Sequence, residues 1–558
     1  MNNKKTVKLI ITYVALVLFA FLVYYVALPP INIFSEEFWV FLAFLIFIFI
    51  APFALKINIS KKQETSRVAR AIKNRIEFGG RYVDLKPNKL LFLVAIPILV
   101  IVLGSLVSSS FFNARAYANV ITVNESVFKD DMPDVKSDVK NIALMDTDSA
   151  IILGKRTLGD LSDVVSQYEV SDSYNQINYQ RTPQKVANLE YADFFKWIGN
   201  KNHGIPGYVM VDPVHNTAKY VKLSVSMKYV HSGYFGDDLM RKLRFSYPTK
   251  ILGEPRFEIN DEGSPFYIVP CYKPKVLLFG ARDVSEVIIF DPCTGESTIN
   301  QISETPDWID IVYDGYLASE KYNWKGTLSG GWFNSVIGNR GCKQTTDDFG
   351  YVVLEDDVWY YTGVTSVTGD ESNIAFILSN ARTGEYKYYP VVGAEEHSAM
   401  NAAEGEVQEK GYTASFPALI NVAGQPTYIM VLKDDNGLVK LYALVNVEQY
   451  GYVATGSDQQ SAMDAYRKLL AEKGVISGDV QESETQVTFV VEEVKQLVIG
   501  GNTVYYFKTT LNQTESYFKL TVTNDNLALA TFVKVGESLT VVYQETQTQN
   551  LFEILSVK

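Results

Sequence analysis

The segments Phe257-Glu-Ile-Asn-Asp-Glu-Gly-Ser-Pro-Phe-Tyr-Ile268 and Ala418-Leu-Ile-Asn-Val-Ala-Gly-Gln-Pro-Thr-Tyr-Ile429 align without gaps, 161 residues apart. They share the frame I-N-x-x-G-x-P-x-Y-I. In each, a strand is expected to end near Asn260 or Asn421. Gly263 or Gly424 supplies a residue free to take positive φ, and an aromatic strand resumes at Tyr267 or Tyr428. The frame therefore reads as a hairpin, and its recurrence as a duplicated folding unit.

A second element surrounds the first, a short apolar strand running into a turn. It occurs as Val209-Met-Val-Asp-Pro-Val-His-Asn216, Ile288-Ile-Phe-Asp-Pro-Cys-Thr-Gly-Glu296 and Phe376-Ile-Leu-Ser-Asn-Ala-Arg-Thr-Gly-Glu385. Asp-Pro and Thr-Gly are turn chemistry. Short helices are expected before the hairpins, at Gly236–Leu243 and Ala399–Lys410, and after the last one at Gln459–Lys473, capped by Ser457-Asp458. These patterns place α+β units at 207–345 and 346–480, with an α+β lead-in at 142–206. From 485 to 558 the chain alternates apolar and polar residues without a helical stretch. About five strands are expected there, as a small all-β barrel of the OB or SH3 kind.

The amino-terminal fifth is different. Leu9–Leu28, Phe38–Leu55 and Leu90–Val107 carry no charge. At ~1.5 Å per residue each run is about one hydrocarbon thickness long, so three membrane spans (9–28, 38–55 and 90–107) are expected. Lys4, Lys5 and Lys8 precede the first run, and ten basic residues against three acids fill the link 56–89, whereas the link 29–37 has only Glu36 and Glu37. The positive-inside rule then puts the amino terminus and the 56–89 loop in the cytoplasm, with everything after 111 outside a plasma membrane. In that loop Arg67, Arg70, Lys73 and Arg75 flank Val68, Ile72 and Ile76, a spacing for a basic amphipathic helix lying on anionic lipid. The polar stretch 111–141 reads as a stalk.

Charge sharpens this division. Of 558 residues, 51 are Lys or Arg and 63 Asp or Glu, a net charge of −12. Residues 1–110 hold 13 basic and 5 acidic side chains, leaving 38 basic and 58 acidic in the remainder. So acidic a body repels phosphate, which excludes nucleic acid as a partner.

The order of helix, hairpin and strand with a D-P-x-T-G-E turn resembles the PepSY-type extracytoplasmic modules of bacteria, most closely at 256–300 and 417–450. The whole chain resembles a family of bacterial membrane proteins with three amino-terminal spans. The PepSY resemblance implies binding or inhibition at the cell surface without catalysis; the resemblance to the three-span family transfers no function to particular residues.

The chemistry-bearing residues are sparse. There are four His and three Cys, and none of the H-E-x-x-H, G-x-S-x-G, paired C-x-x-C, Walker or dinucleotide motifs occurs. No cofactor, metal or catalytic residue is assigned. Glu395-Glu396-His397 is the best local acid–base cluster, read as a surface triplet. Cys271 and Cys293 of the first hairpin unit could form a disulfide outside the membrane, although Leu432 stands where Cys271 would recur. The expected function is a non-enzymatic scaffold of the cell envelope, in contact with membrane lipid and with a protein or wall partner. The alternatives are a regulator or inhibitor of an envelope protease or other envelope enzyme, or an accessory subunit of a transporter or channel.

Overall fold

The computed structural model describes residues 2–61, 75–78, 81–87, 89–135, 142–354, 356–368, 372–435, 437–476, 485–499, 502–511, 514–522, 532–545 and 550–557. The chain divides into two compact units, Met1–Tyr466 and Arg467–Lys558.

The first apolar run folds as the helix Asn2–Ala27. Its window Ile10–Ala27 is long and apolar enough to cross a membrane. The expectation of three spans is corrected: among the described residues no other single helix meets that test, and one bent pair joins Phe92–Ser108 to Ser110–Ala118 at 53°. The third run is interrupted because Pro97, which has no N–H, suits a first helical turn. A 3₁₀ segment, Lys89–Val94, gives way to an α-helix only at Ala95, and that helix ends at Ser108. Fourteen residues rise ~21 Å, short of a bilayer core. The second run forms Glu36–Ala54.

In the basic link, where a short amphipathic helix is expected around 67–76, the described residues form strands. Leu55–Lys61 pairs with Arg81–Pro87, which pairs with Arg75–Phe78. Phe78 faces Arg81 in register, so only the two glycines 79 and 80 separate those strands. Arg75 is therefore a strand residue, and the helical reading of 67–76 fails at that end. Arg67, Arg70 and Lys73 lie outside the described residues.

The duplicated unit occurs four times. The second repeat shows its plan. The helix Leu239–Ser246 is followed by two short strands, Ile251–Leu252 and Arg256–Ile259, which both pair antiparallel with the long strand Pro265–Val276. That strand pairs with Gly280–Phe290, which pairs with Ser297–Gln301. The same register recurs on Thr182–Tyr191 in the first repeat, Asp357–Ser366 in the third and Gln425–Lys433 in the fourth. The boundary expected at 207 falls inside the strand Ile205–Asp212, and the one at 346 separates two strands that share the partner Asp357–Ser366. The lead-in is thus itself most of a repeat.

The repeats bury their faces against one another. Tyr208, Val209, Phe257, Tyr267 and Phe290 close one core between the first and second repeats. Tyr361, Phe376, Tyr428 and Met430 close another between the third and fourth. The helix Gly315–Leu328 lies between the second and third sheets, with Leu317 in the core of the one and Ala318 and Tyr322 in the core of the other. Lys321 on this helix reaches Asp283 at 2.6 Å and sits over the Tyr313 ring. The stalk reading also needs correction as far as Val135. Val123–Glu125 adds a parallel strand to the third sheet, Phe128 and Met132 enter the third–fourth core, and Asn421 Nδ2 donates to the Met132 carbonyl.

In the second unit, six strands run in the order Thr485–Val490, Ser538–Glu545, Leu551–Val557, Thr514–Thr521, Asn502–Leu511 and Glu493–Ile499. Among the described residues the two end strands do not pair, so the sheet is open. The expectation of about five strands in a small OB- or SH3-like barrel is corrected to this six-stranded sheet. One pairing, Thr514–Thr521 with Leu551–Val557, is parallel and breaks the simple meander.

Candidate functional site

The second repeat is where the folded body meets the amino-terminal helices, and the meeting is built from backbone capping. The last carbonyls of a helix have no intrahelical partner. Arg244, 5% exposed, donates from Nε to the Leu28 carbonyl at 2.9 Å, and Arg241 Nε donates to the Tyr25 carbonyl at 3.2 Å. Both cations face the negative end of the helix dipole. Arg241 also stacks on the Tyr25 ring at 4.3 Å, and Phe245 meets Tyr24 edge-on. Beyond the helix, Ile31 N–H donates to the Pro248 carbonyl and Asn32 Nδ2 to that of Thr249.

A second docking point lies on the hairpin of the same sheet. The hairpin between Pro265–Val276 and Gly280–Phe290 presents the N–H groups of Leu278 and Phe279 to the Ser108 hydroxyl, at 3.1 and 3.2 Å. Gly104 is required there, since a Cβ on it would come within 2.5 Å of the Phe279 ring.

Between link and sheet a cleft of about 570 Å³ opens. Ile31, Asn32 and Phe34 form one wall, and Tyr272, Lys273, Pro274, Ser285 and Gln301 the other. Lys250 and Glu286 form an ion pair on its floor, and Gln301 Nε2 adds a hydrogen bond to Glu286 at 3.2 Å. The Lys250 hydrogen bond holds the Glu286 carboxyl below its ordinary range. The cleft thus combines aromatic and aliphatic walls with a fixed ion pair and side-chain amides.

Cys271 lines this cleft but offers no reactive sulfur, because burial pushes its thiol up to about 12. Cys293 is not its partner, and both are free. In register Cys271 faces Glu286, whereas Cys293 lies in the turn beyond Phe290, whose partner is Tyr267. Four residues of strand already span ~13 Å, about twice what a disulfide bridges. Cys293 instead directs its Sγ to the Val225 carbonyl, and Cys342 directs its own to that of Thr327.

The Glu395-Glu396-His397 triplet is split three ways. Glu395 caps the helix Glu396–Glu406 by accepting from Ser398 N–H at 2.7 Å. Glu396 is buried and accepts from Gly363 N–H at 2.8 Å, and His397 Nε2 meets Asp348 at 3.1 Å on the surface. Among the described residues no group of three or more His, Cys, Asp or Glu could hold a metal ion. Lys273, Glu286 and Arg244 were missed by sequence reasoning. Arg241 and Arg244, three apart on a short helix just ahead of the duplicated frame, were the available signal.

No family model matches the chain, and no curated protein matches it. Neither comparison supports the resemblance to PepSY modules.

Proposed function

We propose that the chain is a membrane-anchored, non-enzymatic binding scaffold, whose cleft on the second repeat takes an extended polar segment of a protein or wall-polymer partner. The capping of the first helix by Arg241 and Arg244 carries this reading: it fixes a charged, amide-lined cleft directly beside the end of a helix able to cross a membrane. Such coupling serves a module that must hold a partner at a set height above a bilayer. Lys4, Lys5 and Lys8 at the far end of that helix support a cytoplasmic amino terminus and an extracytoplasmic body.

The test uses the full-length protein in intact cells, with a photo-crosslinking amino acid at Lys273 or, as control, at the exposed strand position Lys222. A discrete adduct from position 273 and none from 222 is the expected result. Equal yields at both sites, or none at either, would discard the cleft as a binding surface. A Lys222→Cys variant that an impermeant maleimide fails to label on intact cells would overturn the orientation.

A further inference from the structure

The helix Gly315–Leu328 is followed by Ser329 and a double glycine, and the chain turns back through Gly331 at φ +87°. It then presents Trp332 and Phe333, followed by a single π-helical turn, Asn334–Gly338. Phe333, Val336 and Ile337 are 68%, 55% and 77% exposed. This tip is braced rather than loose. The Asn334 side chain donates to the Arg340 carbonyl at 3.0 Å and accepts from Arg340 N–H at 3.2 Å, while Asn339 N–H closes the turn onto the Asn334 carbonyl at 2.6 Å.

The tip lies against the bend of the apolar helix pair. Phe111, three residues past Ser108, meets the Trp332 ring at 4.7 Å, edge to face, and Phe333 at 6.2 Å. Phe112 is 60% exposed, and so is Leu277 on the hairpin that docks on Ser108. Single exposed apolar residues are ordinary, but six exposed ones, Phe111, Phe112, Leu277, Phe333, Val336 and Ile337, around the half-buried Trp332 mark a surface that something covers.

The charge pattern says what. Between Glu320 and Asp347 the chain has Lys321, Lys325, Arg340 and Lys343 and no acid, and between Asp84 and Glu125 it again has no acid but carries Arg115. The stretch between Glu262 and Asp283 that carries Leu277 likewise has no acid and holds Lys273, Lys275 and Arg282, so in a protein of net charge −12 all three segments that build the patch are free of carboxylates. A second copy of the chain fits this poorly, because a two-fold interface would bring the arginines of one patch against those of the other. An anionic bilayer surface fits it: Trp and Phe favour the headgroup layer, and cations around them meet lipid phosphate.

We infer that Trp332, Phe333, Val336 and Ile337, with Phe111, Phe112 and Leu277, form a membrane-interface contact, seated in the headgroup layer of an anionic bilayer. The inference rests on the anchoring reading above and adds a second attachment, one that holds the repeat array down on the lipid surface.

The full-length protein is reconstituted into vesicles of phosphatidylethanolamine and phosphatidylglycerol whose acyl chains carry bromine, which quenches nearby tryptophan. Part of the tryptophan emission is expected to be quenched, and that part is expected to vanish in Trp332→Phe and to shrink in Phe333→Asp/Ile337→Asp. Trp332→Phe is conservative, and an unchanged melting temperature certifies its fold. If the wild-type protein resists alkaline extraction while Trp332→Phe leaves the quenching as it was, this inference falls and the anchor stands. If alkaline extraction strips the wild-type protein from the vesicles, the anchor falls and this inference with it. A detergent-solubilised dimer that Phe333→Asp/Ile337→Asp converts to monomers would assign the patch to a second copy instead.

Discussion

Glu258, Asp310 and Glu396 are carboxyl groups folded where water scarcely reaches them, each at most 3% exposed. Glu258 accepts the backbone N–H groups of Asp310 and Ile311, both at 2.9 Å, and Asp310 in turn accepts from Asn178 N–H. Burial disfavours the charged form, and it outweighs these hydrogen bonds. It pushes Glu258 well above the usual carboxylate range, and Asp310 and Glu396 up to about 7. A carboxyl whose pKa is higher folded than unfolded binds more proton in the folded state. Its contribution to stability is complete below an unfolded pKa of about 4 and is lost as pH rises through about 7. Glu396→Gln keeps an acceptor for Gly363 N–H but cannot ionise. The variant is expected to match the wild type in urea unfolding near pH ~4 and to exceed it by on the order of 2–3 kcal/mol at pH ~8. A stability difference independent of pH would refute the assignment.

Among elements, the turn that closes each repeat shows what one sequence can reveal. Asp212, Asp291, Asn380 and Asn446 stand at the same place in the four repeats, and each side-chain oxygen accepts from backbone N–H groups two or three residues on. Three of these turns were legible because Asp-Pro and Thr-Gly-Glu mark them. The fourth, Asn446-Val-Glu-Gln-Tyr-Gly451, reaches the same geometry without those marks. The hairpin frame behaves likewise. Ile177-Asn178 and Pro183 repeat its spacing in the first unit, but the residue matching Gly263 is Arg181, itself at φ +62°. A non-glycine residue held in the left-handed region by its neighbours erases the glycine that pattern reading depends on. The docking of the first helix was illegible for another reason: it pairs side chains with backbone 216 residues away, which no local period encodes. That docking gives its own prediction. Arg244→Ala removes a buried cation that also holds the Lys250 carbonyl at 2.6 Å and leaves those acceptors unpaired. It should cost about 2–3 kcal/mol and speed proteolysis within the link 29–35, whereas Arg244→Lys, which lacks the planar fork, should recover only part. Cleavage at the wild-type rate in Arg244→Ala would mean that the helix end is held by other contacts.

For the whole molecule, the division at Tyr466 and Arg467 separates two units with independent cores. The carboxy-terminal sheet packs Phe489, Phe507, Phe518, Leu520 and Val541 into a cluster of its own, with Phe489 and Phe518 stacked at 4.3 Å. The four repeats, by contrast, share cores in pairs and are tied around by Lys433, which joins the fourth to Asp146 and Ser149 of the first. No repeat can lose its packing without exposing a neighbour's face, so the array should unfold as one. Unfolding of the full chain is accordingly expected in two steps, one for the array and one for the carboxy-terminal unit. Phe518→Ala empties the centre of the smaller core at a cost of about 3–5 kcal/mol. It should lower that unit's transition by several degrees and leave the array's melting temperature in place. Differential scanning calorimetry of the detergent-solubilised full-length protein reads both transitions at once. A single peak that moves as a whole in Phe518→Ala would show that the two units fold as one cooperative body.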